Sequence, residues 1–245
     1  PSDASINNWV NQFLPTACIP YARLARLDRP IGSWLLFWPC LWGVWLAQLE
    51  TGLIPLSQTI YISALFALGA IVMRGAGCTY NDIVDRDYDG KVERSRNRPL
   101  PAGQISVKQA WVFLIVQCLI GLSVLLQFNL ETIALGVLSL VPIAIYPFMK
   151  RFTWWPQLFL GIAFNWGVLM GYAALTGNIS SSAGMVYVAA IFWTVGYDTI
   201  YAHQDREDDA LIGLKSSAIR LGDKTHTALW IIYSLSLLCF LTAGV

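Results

Sequence analysis

Seven apolar stretches dominate this chain, at roughly 31–49, 59–80, 109–127, 131–149, 157–176, 184–202 and 227–245. Each is about as long as the helix needed to cross a hydrocarbon core of about 30 Å. In lipid a helix satisfies its backbone groups within its own segment, so runs of this kind leave few other folds open. Hydrophobic residues make up 56% of the chain and charged residues 13%, about half the charge of a soluble domain. The chain therefore reads as an all-α, polytopic membrane bundle with seven transmembrane helices. Before the first run, Ile6, Trp9, Val10, Phe13 and Leu14 recur at helical spacing between polar residues. That spacing predicts a short amphipathic helix lying on the membrane and ending at Pro15. The five cysteines form no CxxC pair and read as small buried hydrophobes.

The charges divide by loop. Arg23, Arg26 and Arg29 precede the first run, and the loops after the second, fourth and sixth runs return to their side. Fifteen of the 16 Lys and Arg residues lie on that side, and the sixteenth, Arg74, sits near the same end of the second run. The opposite loops, near 50–58, 127–131 and 177–183, contain none. By the positive-inside rule the basic side faces the cytoplasm, or the matrix in a mitochondrion. The net charge of +1 argues neither for nor against nucleic acid, which is not among the expected partners; protein partners are left open.

Against this basic side stand two acidic segments. Asn81 to Asp89 places four carboxylates within eight residues directly after the second run. If the helix continues, Asn81, Asp85 and Asp89 recur at i, i+4 and i+8 and share a face. Like charges at that spacing repel, and a divalent cation turns the repulsion into binding; hard oxygen donors suit Mg²⁺. A solvated acidic cap is the competing reading, less favoured at the mouth of a membrane helix. The second segment holds Asp198, Asp205, Glu207, Asp208 and Asp209 at the end of the sixth run. Two such helix-plus-acid units read as a duplicated four-helix unit around a central cavity, with the acids facing each other.

Carboxylates ringed by Arg and Lys suit a metal-bridged polyphosphate. The run Arg94-Ser95-Arg96-Asn97-Arg98-Pro99 is a candidate phosphate grip, with a topological determinant as the alternative for each arginine. Arg74 lies within an apolar helix and needs a partner, which the acids one to two turns on can supply. Tyr146 and Lys150 lie four residues apart on one face. No Walker glycine loop, HExxH or GxSxG occurs, which removes the common nucleotide hydrolase, metalloprotease and serine hydrolase readings. Most of the many aromatic residues read as packing or interfacial belt, while a few lining a dry cavity could stabilise a carbocation.

These residues match a family pattern. Asn81-Asp82-x-x-Asp85-x-x-x-Asp89 resembles the first Asp-rich motif of the UbiA superfamily of intramembrane prenyltransferases. Asp205 with Asp209 resembles its second, and Tyr146-x-x-x-Lys150 its YxxxK element. Over the longer stretches Ala25–Pro39, Met73–Gly103 and Gly196–Ser216 the chain is similar to the branch acting on 4-hydroxybenzoate, and the resemblance runs from about Pro20 to Gly222. It implies one transmembrane prenyltransferase domain over 1–245. The family usually has nine transmembrane helices, so two C-terminal helices are expected to be missing here.

The resemblance further implies Mg²⁺ held by Asn81, Asp82, Asp85, Asp89, Asp205 and Asp209, binding the diphosphate of a polyprenyl donor. Arg74, Arg96, Arg98, Lys150 and Arg151 would neutralise the leaving diphosphate, with Tyr146 beside Lys150. The ring carbon ortho to the hydroxyl of 4-hydroxybenzoate would attack the allylic cation, a step of ubiquinone biosynthesis. Asp198 is read as orienting or polarising the acceptor, with a place in the metal shell as the alternative. Arg26 or Arg29 is read as meeting the acceptor carboxylate, with Asn165 near that pocket. Expected partners are the two substrates and membrane lipid, in a bacterial inner membrane or alternatively the mitochondrial inner membrane. A prenyltransferase for another aromatic acceptor is the nearest competitor. An ion or phosphate transporter is disfavoured, because apart from Arg74, Asp198 and Glu131 at the first position of its span the spans carry no charge.

Overall fold

Helix starts are marked by the residues that satisfy their first backbone donors. Ser106 forms a capping box with Gln109, and Asn8, Asn129, Ser180 and Ser216 each accept from the backbone three residues on. The computed structural model describes residues 8–90, 95, 97–211 and 213–244, without the side chains of Tyr88, Asp89, Asp205, Asp208 and Asp209. Among the described residues the helices are α1 (Trp9–Phe13), α2 (Ile19–Leu24), α3 (Ile31–Thr51), α4 (Leu56–Asp89), α5 (Val107–Leu125), α6 (Leu130–Leu138) and α7 (Leu140–Phe152). They continue as α8 (Pro156–Asn165), α9 (Gly167–Thr176), α10 (Ser181–Ala202), α11 (Arg206–Leu211), α12 (Ser217–Leu221) and α13 (Thr225–Ala243), and no strand is present among the described residues.

Among the described residues, six segments are long and apolar enough to cross a membrane: Leu56–Asp87, Val107–Leu125, Leu130–Phe152, Pro156–Thr176, Ser181–Ala202 and Ser217–Ala243. Their outward faces carry Leu119, Leu122, Leu237, Leu238 and Trp230, all exposed, as lipid-facing residues are. The protein is an integral membrane protein. The expected first span forms α3, 21 residues long, but Trp34, Trp38, Trp42 and Trp45 lower its hydropathy. The count of seven is therefore not reproduced by length and hydropathy together.

Three boundaries differ from the sequence reading. The stretch 131–149 is broken at Ser139, because Pro142 cannot donate to the Leu138 carbonyl and its ring crowds that turn. The stretch 157–176 is broken at Trp166, whose indole Nε1 donates to the Leu135 carbonyl at 3.0 Å. The amphipathic helix shrinks to α1; Val10 is fully buried and the Trp9 indole donates to the Leu27 carbonyl at 2.8 Å. This segment therefore packs on the protein. Ile6, which opened the expected pattern, lies outside the described residues.

The chain divides into two units: Pro1–Leu35 with Ala67–Gln127, and Leu36–Phe66 with Phe128–Val245. In the first unit Leu24, Leu100, Ile105 and Ala110 form the core, with Tyr21, Ile83 and Phe113 packed on it. The Thr79 hydroxyl donates to Gln117 at 3.1 Å, tying α4 to α5. In the second unit α10 packs against α8, α9, α12 and α13. There α3 and α9 approach so closely that a Cβ at Gly43 would strike the Val168 carbonyl and one at Gly171 the Cys40 carbonyl. Small residues at such crossings are the membrane solution to close helix packing.

Candidate active site

The first acidic segment does continue its helix. α4 runs unbroken to Asp89, so Asn81 and Asp85 sit one turn apart on one face, as expected. Asp85 is 1% exposed; the Asn81 amide is half-buried and makes no hydrogen bond among the described residues. Asp82 lies about 100° round the helix from Asn81 and about 60° from Asp85, and it is 0% exposed. Arg26 Nη2 donates to its two oxygens at 2.7 and 2.9 Å, and Arg98 Nη1 approaches Oδ1 at 3.5 Å.

Arg26 reaches Asp82 from an unusual backbone. Its φ of 57° is the only positive value at a non-glycine residue among those described, in the left-handed region that side chains seldom adopt. Its second nitrogen, Nη1, donates to the Arg23 carbonyl at 3.0 Å, while Arg23 Nη2 donates to Asn11 at 2.9 Å. The segment is thus tied at several points, and left-handed strain held so firmly tends to mark functional sites. Arg98 is held by turns: its N–H donates to the Ser95 carbonyl at 2.9 Å and its carbonyl accepts from Ala102 at 2.9 Å. Leu100 and Ile105, both buried, anchor those turns. Arg74 is half-buried and lies against Gly32, where any Cβ would strike its guanidinium. Arg29 donates to the neighbouring Asp28 at 3.1 Å. Arg94 and Arg96 lie outside the described residues, as does the side chain of Asp89.

In the second unit the frame around the other acidic segment is clear, although the side chains of Asp205, Asp208 and Asp209 lie outside the described set. α10 gives way to a 3₁₀ turn, His203–Asp205, and then to α11. After α11 the chain is pinned: Lys215 N donates to the Lys150 carbonyl at 2.8 Å, and Lys215 Nζ donates to the Phe152 carbonyl at 3.2 Å. Ser217 N donates to Gln157 at 3.2 Å, and the Thr199 and Ser217 hydroxyls share a hydrogen bond of 2.7 Å. The ends of α7, α8 and α10 together fix this segment. Tyr146 and Lys150 lie one turn apart on α7, both half-buried, and Arg151 stacks 5.4 Å over the Phe148 ring.

Asp198 is half-buried within α10 and makes no hydrogen bond or ion pair among the described residues. Asn165 behaves in the opposite way. Its amide donates to the Gly161 carbonyl at 2.8 Å, the Ala190 carbonyl at 3.1 Å and the Thr194 hydroxyl at 2.8 Å, which locks α8 to α10. The sequence reading missed Gln117, Gln157, Thr199 and Ser217. A polar residue near an apolar run was the available signal, yet nothing in the sequence names its partner.

Hard oxygens from Asn81 and Asp85 on one face, with Arg26 and Arg98 on the adjoining Asp82, suit a divalent cation carrying a phosphate ester. Among the described side chains no three Asp, Glu, His or Cys residues gather into a metal cluster. The fold and this motif define a class of intramembrane transferase: residues 36–245 match the UbiA prenyltransferase family, and the chain belongs to it. It is 55% identical over 213 residues to the mitochondrial 4-hydroxybenzoate polyprenyltransferase of Aedes aegypti, covering 86% of this chain and 47% of that protein. The chain spans about half the length of the mitochondrial relatives it matches. It superimposes on a UbiA homologue from Aeropyrum pernix K1 with a TM-score of 0.72 and 27% identity, covering 86% of this chain and 80% of that one. A homologue from Archaeoglobus fulgidus, solved with GPP and Mg²⁺, has the same fold at a TM-score of 0.68 and 19% identity, covering 91% and 77%.

Proposed function

We propose that this protein transfers a polyprenyl group from a polyprenyl diphosphate to the ring carbon ortho to the hydroxyl of 4-hydroxybenzoate, in a Mg²⁺-dependent step of ubiquinone biosynthesis. The observation that carries the reading is α4, which presents Asn81 and Asp85 on one face at the end of an apolar span, with Arg26 and Arg98 gathered at the adjoining position. The naming of the curated relatives supports the choice of acceptor. Asn81, Asp85 and Asp89 of the first motif, and Asp205 and Asp209 of the second, would hold Mg²⁺, which would screen the diphosphate and make it a better leaving group.

The chain's own residues do the rest. Arg98, Arg74, Lys150 and Arg151 gather negative charge as the allylic C–O bond breaks and diphosphate departs with the bonding pair. The ring carbon gives a pair to the allylic carbon, and loss of the proton from that ring carbon restores the aromatic system. Asp198, a carboxylate that no described residue engages, orients or polarises the acceptor phenol. Exclusion of water by the apolar spans protects the cation from hydrolysis. The basic loops face the cytoplasm or the matrix, in a bacterial or mitochondrial inner membrane. The test is incubation of membranes containing the protein with 4-hydroxybenzoate, geranyl diphosphate and Mg²⁺. A prenylated ring-substituted acid detected by mass spectrometry is expected; its absence, with both substrates intact, overturns the reading.

A further inference from the structure

The sequence groups Asp82 with the metal ligands, and the structure gives it other work. Asn81 and Asp85 are one turn apart, and Asp82 lies about 100° round the helix from Asn81 and about 60° from Asp85, so its partners rather than its angle set it apart. It is 0% exposed, and each oxygen already accepts from a guanidinium: Oδ1 from Arg26 at 2.7 Å and Arg98 at 3.5 Å, Oδ2 from Arg26 at 2.9 Å. One carboxylate between two guanidiniums leaves a net positive cluster, which repels an added cation and attracts an anion. The Arg26 guanidinium is held from both ends, by Asp82 and by the Arg23 carbonyl, on a backbone of positive φ. Such an investment fixes an arginine in place and does nothing for a metal.

We infer that Asp82 is a positioning residue: it orients Arg26 and Arg98 toward the donor diphosphate and takes no part in holding Mg²⁺. The inference rests on the prenyltransferase reading above. Mn²⁺ affinity, read by electron paramagnetic resonance on the full-length protein in nanodiscs, separates the two roles. For Asp82→Asn the Mn²⁺ Kd is expected to stay within about threefold, while for Asp85→Asn it rises about tenfold or more. Binding of a non-hydrolysable geranyl diphosphate analogue is expected to weaken about tenfold in Asp82→Asn, because an arginine loses its anchor. An equal loss of Mn²⁺ affinity in both single variants overturns the inference and leaves the prenyltransferase reading standing. Unchanged Mn²⁺ affinity in Asp85→Asn, with weakened analogue binding in Asp82→Asn, supports the role of Asp82 and defeats the metal assignment of the first motif. Should Asp82→Asn not fold, Arg26→Gln with Asp82→Asn removes both charges at once. Mn²⁺ affinity retained in that pair supports the inference, and affinity lost overturns it.

Discussion

The two acidic segments rest on differently built supports. In the first unit an uninterrupted helix carries the acids on its last turns, and Asp82 is buried between two arginines. In the second unit α10 ends at Ala202, the acids follow on a 3₁₀ turn and the six-residue α11, and hydrogen bonds after α11 pin the chain. The carboxylate inside α10, Asp198, has no partner among the described residues. A buried carboxylate matched by guanidiniums fixes structure, because breaking such a pair strands a charge. A carboxylate left unmatched in an apolar span is costly unless a ligand meets it. Under the proposed function, the contrast would put a rigid diphosphate grip on the first unit and a more adaptable acceptor contact on the second.

The comparison breaks most sharply at the metal. Asp85→Asn and Asp205→Asn are each expected to lower turnover by about 10²- to 10³-fold, with the variants still inserted and monodisperse in detergent. Turnover assays over a Mg²⁺ titration check this, and a loss confined to one variant would mean that only one unit serves the metal. Arg98→Ala is expected to lower kcat about tenfold to a hundredfold while the 4-hydroxybenzoate KM moves less than about threefold. An effect on acceptor KM alone would shift Arg98 to the other substrate.

Asp198→Ala is expected to raise the acceptor KM about tenfold with donor KM and Mg²⁺ dependence nearly unchanged; Asp198→Asn separates charge from hydrogen bonding. If Asp198→Ala instead weakens Mg²⁺ dependence as Asp205→Asn does, Asp198 belongs to the metal shell and the division between the units collapses. The smallest effects concern packing. Gln117→Leu in the first unit should cost about 0.6 kcal/mol, an ordinary interhelical hydrogen bond in a membrane. Asn165→Leu in the second should cost about 1–2 kcal/mol, since three acceptors lose their donor. Unfolding in mixed micelles measures both, and equal costs would show that the Asn165 bonds do not act together.

The spans and the continuation of α4 were legible because 3.6-residue periodicity and hydropathy are local properties of the chain. The break at Ser139 went unread, because the apolar run hid the signal that Pro142 carries. The break at Trp166 was not legible, since it coincides with an indole bond to Leu135, 31 residues away. The same limit hid the central pair of the site. Arg26 and Asp82 are 56 residues apart, and the left-handed backbone that joins them occurs at a residue type with no preference for it. Asp82 was read with its neighbours because the guanidinium that meets it comes from 56 residues away. Asn165 was read toward substrate, yet its amide is used between helices, a distinction that depends on which way one side chain faces.

The connectivity of the second unit bears on how the protein is made. Cys40, Val44, Ile62 and Phe66 share a core with Ala174, so the ribosome delivers the first part of that core more than 100 residues before its partner emerges. At a synthesis rate of about 5–20 residues per second, the early hairpin waits roughly 5–20 s. A soluble chain would expose a sticky surface for that interval. Here the lipid tails solvate Cys40 and Val44 as well as their eventual neighbours do, because little hydrophobic force separates lipid from protein packing. The glycines at 43 and 171 then leave room for α3 and α9 to meet backbone to backbone, an approach that any larger side chain there would block.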